Sequence, residues 1–120
     1  MLHLSPSGRY YLYREHTDMR KGFDSLSGIV QNQLGKNALS GEVFIFFNRR
    51  HTQVKLLLWE KDGFAIYHKR LEKGTYEVPV LSSNECSVCI SSEQLSFILQ
   101  GISLRHIRKR KRYQHTGTIC

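Results

Sequence analysis

The chain has no apolar run approaching the length of a bilayer span, so no membrane-crossing helix is expected. Residues 1–20 lack both a continuous apolar region and a small-residue cleavage site, so no secretory signal is expected either. Cysteine is scarce and odd in number, three in 120 residues, which points to a reducing cytoplasm and free thiols rather than a disulfide framework. Internal repeats are absent. So are a glycine-rich phosphate loop, a nucleophile elbow and the spacing of a catalytic triad. Acid is missing altogether from residues 105–120.

That last absence organises the charge. The chain carries 18 Lys and Arg against 10 Asp and Glu, a formal net charge of +8. Six of the 18 cations fall in RHIRKRKRYQHTGTIC, residues 105–120, so this segment alone is +6 and the rest of the chain is +2. The reading is one α+β domain over 1–104 followed by a flexible basic tail, 105–120. A run of like charge repels itself and stays solvated unless an anion meets it. At 40% hydrophobic residues with aromatics spread through the first 113, the remainder has enough apolar material for a core.

Local patterns place the elements. RYYLYRE, residues 9–15, reads as a first strand after the turn Ser5-Pro6-Ser7-Gly8. Thr17 and Asp18 are two possible N-caps for a helix whose apolar stripe is Phe23, Leu26, Val30 and Leu34, ended by Gly35. EVFIFFN, residues 42–48, is apolar enough to be covered on both faces. QVKLLLWE and GFAIYHKR then fold about Lys61-Asp62-Gly63. An Asp62-Gly63 loop would set Trp59 opposite Ile66. A three-residue turn with Gly63 left-handed would set Glu60 opposite Phe64, and it sorts the side chains more cleanly. In that register Lys55 faces Lys69 beside Trp59 and Tyr67. TYEVPV is an edge strand or strand end because of Pro79, and CSVCI a short last strand. Ser91-Ser92-Glu93-Gln94 is a capping box for a helix striped by Leu95, Ile98, Leu99 and Ile102. The predicted fold class is α+β: a small, mostly antiparallel sheet of five to six strands with two flanking helices.

Candidate chemistry concentrates on the hairpin. Arg49, Arg50, Lys55, Lys69, Arg70 and Lys73 supply cations, Trp59 and Tyr67 supply stacking surfaces, and Arg108, Lys109, Arg110, Lys111 and Arg112 add the tail. Bland alternatives stand beside each: a solvated turn at Asn48-Arg49-Arg50, lysines that snorkel past aromatics lying under a helix, and a solubilising tail. Cys86 and Cys89 form a lone CxxC, too few ligands for a zinc site and on opposite faces of a strand. No metal and no cofactor is expected, and no enzyme activity. A nuclease would have to rest on Asp18, Asp24 and His16.

TDMRKGFDSLSGIVQ, GEVFIFFNRRHTQVKLLLWEKDGF, YHKRLEKGTYEVP and EQLSFILQGISL, in this order, resemble a known family. It is the small accessory protein, called TnpB or the second open-reading-frame product, of the insertion-sequence family numbered sixty-six. The matched positions are Asp18, Arg20, Lys21, Gly22, Asn48, Arg49, Arg50, Lys55, Trp59, Gly63, Lys69, Arg70, Leu71, Lys73 and Gly74. The CxxC and the long basic tail depart from it. The resemblance implies a role in DNA transposition beside a larger transposase that carries the catalytic carboxylates. DNA and that transposase are the expected partners. Asp18, Arg20 and Lys21 are family positions without a role. A protein-interaction module docking on the transposase is the first alternative, and a metal-dependent nuclease the second.

Overall fold

The computed structural model describes residues 4–79 and 84–101. In chain order the elements are β1 (Tyr10–Tyr13), α1 (Phe23–Ile29), β2 (Val43–Phe47), β3 (Gln53–Glu60), β4 (Gly63–Arg70), β5 (Ser87–Ile90) and α2 (Ser92–Gln100). They form one five-stranded sheet in the order β4-β3-β2-β1-β5. β1 and β2 are parallel, joined through α1, and every other neighbouring pair is antiparallel. This is the mostly antiparallel α+β architecture with two helices that the sequence pattern predicts. The basic tail, residues 105–120, and Ile102 lie outside the described residues.

Alternation along the strands divides the core in two. Tyr10, Leu12, Ile45, Phe47 and Leu56 face Leu95 and Ile98 of α2. Tyr11, Phe44, Phe46 and Leu57 face Leu26 and Val30 of α1. β2, at the centre, is buried along its whole length, which accounts for the unbroken apolar run VFIFF. Each large apolar side chain fully removed from water contributes about 1.5–3 kcal/mol before entropy is charged against it.

The helix ends follow local chemistry at three of four places. Ser91 Oγ accepts from the Gln94 N–H at 3.0 Å and Gln94 Oε1 accepts from the Ser91 N–H at 2.9 Å, the capping box read from sequence. Gly101 closes α2 at φ 82°, and Gly35 closes a π-helical turn, Val30–Leu34, that extends α1. The start of α1 is different. Gly22 precedes it, and neither Thr17 nor Asp18 caps it. Thr17 is instead buried with its N–H donated to the Phe47 carbonyl at 2.8 Å, and Asp18 is taken by Arg20.

Two further expectations are corrected. Residues 75–79 form no strand; Tyr76 plugs the core, its N–H donating to the His51 carbonyl at 2.7 Å and its ring edge-on to Phe47. Burial pushes the Tyr76 hydroxyl up to about 12, and that hydroxyl has no partner among the described residues. The hairpin takes neither register foreseen for it. Glu60 pairs with Gly63, Trp59 with Phe64, Leu56 with Tyr67 and Lys55 with His68. The loop is Lys61-Asp62, and Lys61, not Gly63, adopts the left-handed conformation, φ 46°. A one-residue slip moves every β4 side chain to the other face, so Lys55 and Lys69 do not meet.

A lysine in the left-handed region carries a steric cost that glycine does not. Lys61→Gly is therefore expected to raise stability by about 0.5–1 kcal/mol, part of the gain being offset by a freer unfolded chain. Urea unfolding checks it through a higher midpoint at unchanged slope; an equal or lower midpoint would count against the left-handed turn.

Candidate nucleic-acid interface

The connection from β2 to β3 is built on one side chain. Asn48 Oδ1 accepts from the N–H groups of Thr52 and Gln53, both at 2.9 Å, and its Nδ2 donates to Thr52 Oγ1 at 2.9 Å. The His51 N–H closes back on the Asn48 carbonyl at 3.1 Å, and His51 takes φ 57°. An asparagine is suited to this because its amide offers both acceptor and donor to a local turn. The turn is thereby held from within, and Arg49 and Arg50 are left exposed at its outside.

A second segment comes to the same end of the sheet. The chain from His16 to Gly22 is tied at Thr17 to the end of β2. It is tied again at Lys21, whose carbonyl accepts from Lys55 Nζ at 2.7 Å. Between these anchors Asp18 holds Arg20 in a fork. Arg20 Nη2 donates to Oδ2 at 2.7 Å and Nε contacts both oxygens at 3.1 Å, while the Arg20 N–H donates to Oδ1 at 2.9 Å. These hydrogen bonds and the guanidinium charge hold the Asp18 carboxyl well below the usual carboxylate range. The pair remains in solvent, with 90% of the Arg20 side chain exposed.

The two segments border an open hollow of about 550 Å³ lined by Thr17, Asp18, Arg20, Asn48, Arg49 and Arg50, among others. His16 bridges its rim: Arg49 Nη2 donates to His16 Nε2 at 3.3 Å. Beside it lie polar side chains of the sheet. Arg70 pairs opposite Gln53 in register and is salt-bridged to Glu72 at 3.0 Å. His68, opposite Lys55, contacts Gln53 Oε1 at 2.9 Å. Burial chiefly, then the Lys55 and Arg70 charges, pulls the His68 imidazole below its ordinary value.

The predicted site residues therefore separate. Arg49 and Arg50 stand exposed in the turn, and Arg20 joins them from the His16–Gly22 segment. Arg70 lies on the same sheet face as His68, next to β3. Lys55 does not belong to the surface set: it is 9% exposed and spends its ammonium on the Lys21 carbonyl. Tyr67 and Lys69 are on the other face, Tyr67 packed against the α2-side core and Lys69 exposed beside Val54 in register. Trp59 is half-buried, edge-on to Phe64 with ring centroids 5.0 Å apart, at the far end of the hairpin. Lys73 is exposed beyond β4. Arg108, Lys109, Arg110, Lys111 and Arg112 lie outside the described residues.

Among the described residues no three His, Cys, Asp or Glu side chains gather to hold a metal ion. Cys86 is an exposed free thiol, as expected. No helix among the described residues is long and apolar enough to cross a membrane.

The family model described as IS66 Orf2 like protein matches residues 8–109. Uncharacterized protein y4hO of Sinorhizobium fredii is 38% identical over 104 residues, covering 84% of this chain and 89% of the relative. Uncharacterized protein y4jC of the same organism is 22% identical over 102 residues, covering 85% and 86%. No solved structure matches.

Proposed function

The chain belongs to the IS66 Orf2-like family of insertion-sequence proteins, and from that premise we propose that it is a cytoplasmic, non-catalytic accessory of DNA transposition that grips DNA through the basic end of its sheet. The observation that carries this reading is the convergence of Arg20, Arg49 and Arg50 on one hollow from two separate segments. Cations drawn together by a fold repel one another, so an arrangement of this kind favours an anionic partner over mere solubility. Guanidinium groups suit it, because their planar fork matches phosphate oxygens and keeps its charge at any physiological pH. The tail extends the same preference with five consecutive cations, Arg108 to Arg112.

Fluorescence anisotropy on a labelled duplex, across a salt series, tests the proposal. Each lost phosphate contact removes about 0.9 from the log–log salt slope and about tenfold in affinity near 0.1 M salt. Arg49→Gln is expected to show both changes, in the full-length chain and also in a chain with Arg108 to Arg112 changed to Gln. Equal affinity and equal slope in both backgrounds would remove the folded domain from DNA contact.

A second reading, docking on the larger transposase, draws on a different observation. Phe23 is 50% exposed, and Trp59 and Phe64 are only half-buried on the side of the sheet that α1 covers in part. Incompletely covered aromatics of this kind are suited to anchor a protein interface. Co-elution with the transposase, together with DNA affinity that ignores Arg49→Gln, would favour it.

A further inference from the structure

We propose that the hollow between the His16–Arg20 loop and the Asn48–Arg50 turn is a seat for one phosphate group, and that Asp18 holds Arg20 there as an internal stand-in for it. This rests on the DNA-contact reading and adds to it where a phosphate sits and what competes for the place.

Three features carry the inference. The first is charge. Three guanidinium groups line the hollow against a single carboxylate, Asp18, and Arg49 Nη2 lies 3.3 Å from His16 Nε2 at its rim. Among the described residues no anion pairs with the surplus of two positive charges. The second is the form of the Asp18–Arg20 contact. Side-by-side donation from Nε to Oδ1 and from Nη2 to Oδ2 is the geometry in which a guanidinium also takes two phosphate oxygens. The pair is exposed, so the carboxylate is exchangeable and a phosphate that displaces it finds the same donors.

The third is Thr17. It lines the hollow, is 4% exposed, and its hydroxyl has no hydrogen-bond partner among the described residues. A buried hydroxyl left unpaired is uncommon and calls for a reason. Its backbone N–H is already committed to the Phe47 carbonyl, so the residue is held in place while the side chain keeps its donor. A volume of about 550 Å³ exceeds one phosphate and leaves room for adjoining sugars.

Asp18→Asn separates the two roles of the carboxylate. The amide oxygen still accepts from the Arg20 N–H, so the local turn survives, while the competing charge is gone. Inorganic phosphate, titrated at constant ionic strength into full-length ¹⁵N-labelled protein, is the probe. Saturable shifts of the Thr17 and Arg49 amide signals are expected. Asp18→Asn should bind phosphate about two- to fivefold more tightly, the range set by the worth of an exposed ion pair. Arg49→Gln, the second variant, should weaken the same shifts.

Phosphate that leaves those signals unmoved, or binds Asp18→Asn no more tightly than the parent, overturns the seat. The same titration with a short duplex keeps the two claims apart. Duplex binding with the hollow silent to phosphate sinks the seat and spares DNA contact. Phosphate that saturates the hollow while the duplex moves nothing supports the seat and sinks DNA contact instead.

Discussion

Lys55→Ala is expected to lower the unfolding free energy by about 2–3 kcal/mol, whereas Lys69→Ala should change it by less than about 0.5 kcal/mol. The contrast follows from the observed register. Lys55 lies on the α1 side opposite His68, almost fully buried, with Nζ on the Lys21 carbonyl at 2.7 Å. Truncation strips that carbonyl of its donor and the surrounding core of the lysine stem. Lys69 lies on the other face in solvent. Had the two lysines faced each other, removing either would relieve like-charge repulsion and stabilise the fold. Urea unfolding of the two variants decides the matter: stabilisation by both would reinstate the facing pair.

Phe44→Ala carries the largest expected loss, about 3–5 kcal/mol. Phe44 is fully buried in the central strand and stacks on Tyr11 with ring centroids 5.7 Å apart and planes at 18°. A domain of this size has a total stability of only about 5–15 kcal/mol. The thermal midpoint, followed by circular dichroism, should therefore fall by about 10–20 °C. Phe44→Leu keeps most of the volume and should lose less than about 1.5 kcal/mol. A fall of only a few degrees in the alanine variant would mean that the α1-side core closes over the gap.

Much of the architecture is legible because local and global preferences agree. VFIFF is apolar at every position since helices cover both faces of β2, and the Ser91–Gln94 box needs nothing beyond its own four residues. The errors fall where two answers satisfy the same pattern. β4 is an edge strand with Phe64 and Ile66 on one face and Ala65 and Tyr67 on the other, all half-buried, so alternation cannot choose between registers. The turn chemistry then misleads, because Asp-Gly draws the left-handed residue to Gly63 when Lys61 takes it.

The site was legible in parts. Arg49, Arg50 and Arg20 stand out as motif residues, but their meeting depends on two backbone anchors, Thr17 to Phe47 and Lys55 to Lys21, which leave no trace in hydropathy. Thr17 reads as a helix cap from sequence and turns out to be a floor. Lys55 reads as a surface cation because a lysine in a strand looks alike whether its ammonium meets water or a carbonyl.

The order of strands in the sheet also sets an order in time. β1 is synthesised first, yet it is sandwiched between β2 and β5, and Tyr10 pairs with Ile90 near the other end of the described chain. β2, β3 and β4 can zip together as soon as they emerge, since their pairings are between neighbours. β1 must keep one edge open until the last strand arrives, and a naked edge recruits whatever strand comes near. A nascent chain cut short before β5 would thus be a sticky one, and two such chains would find each other through the strand each made first.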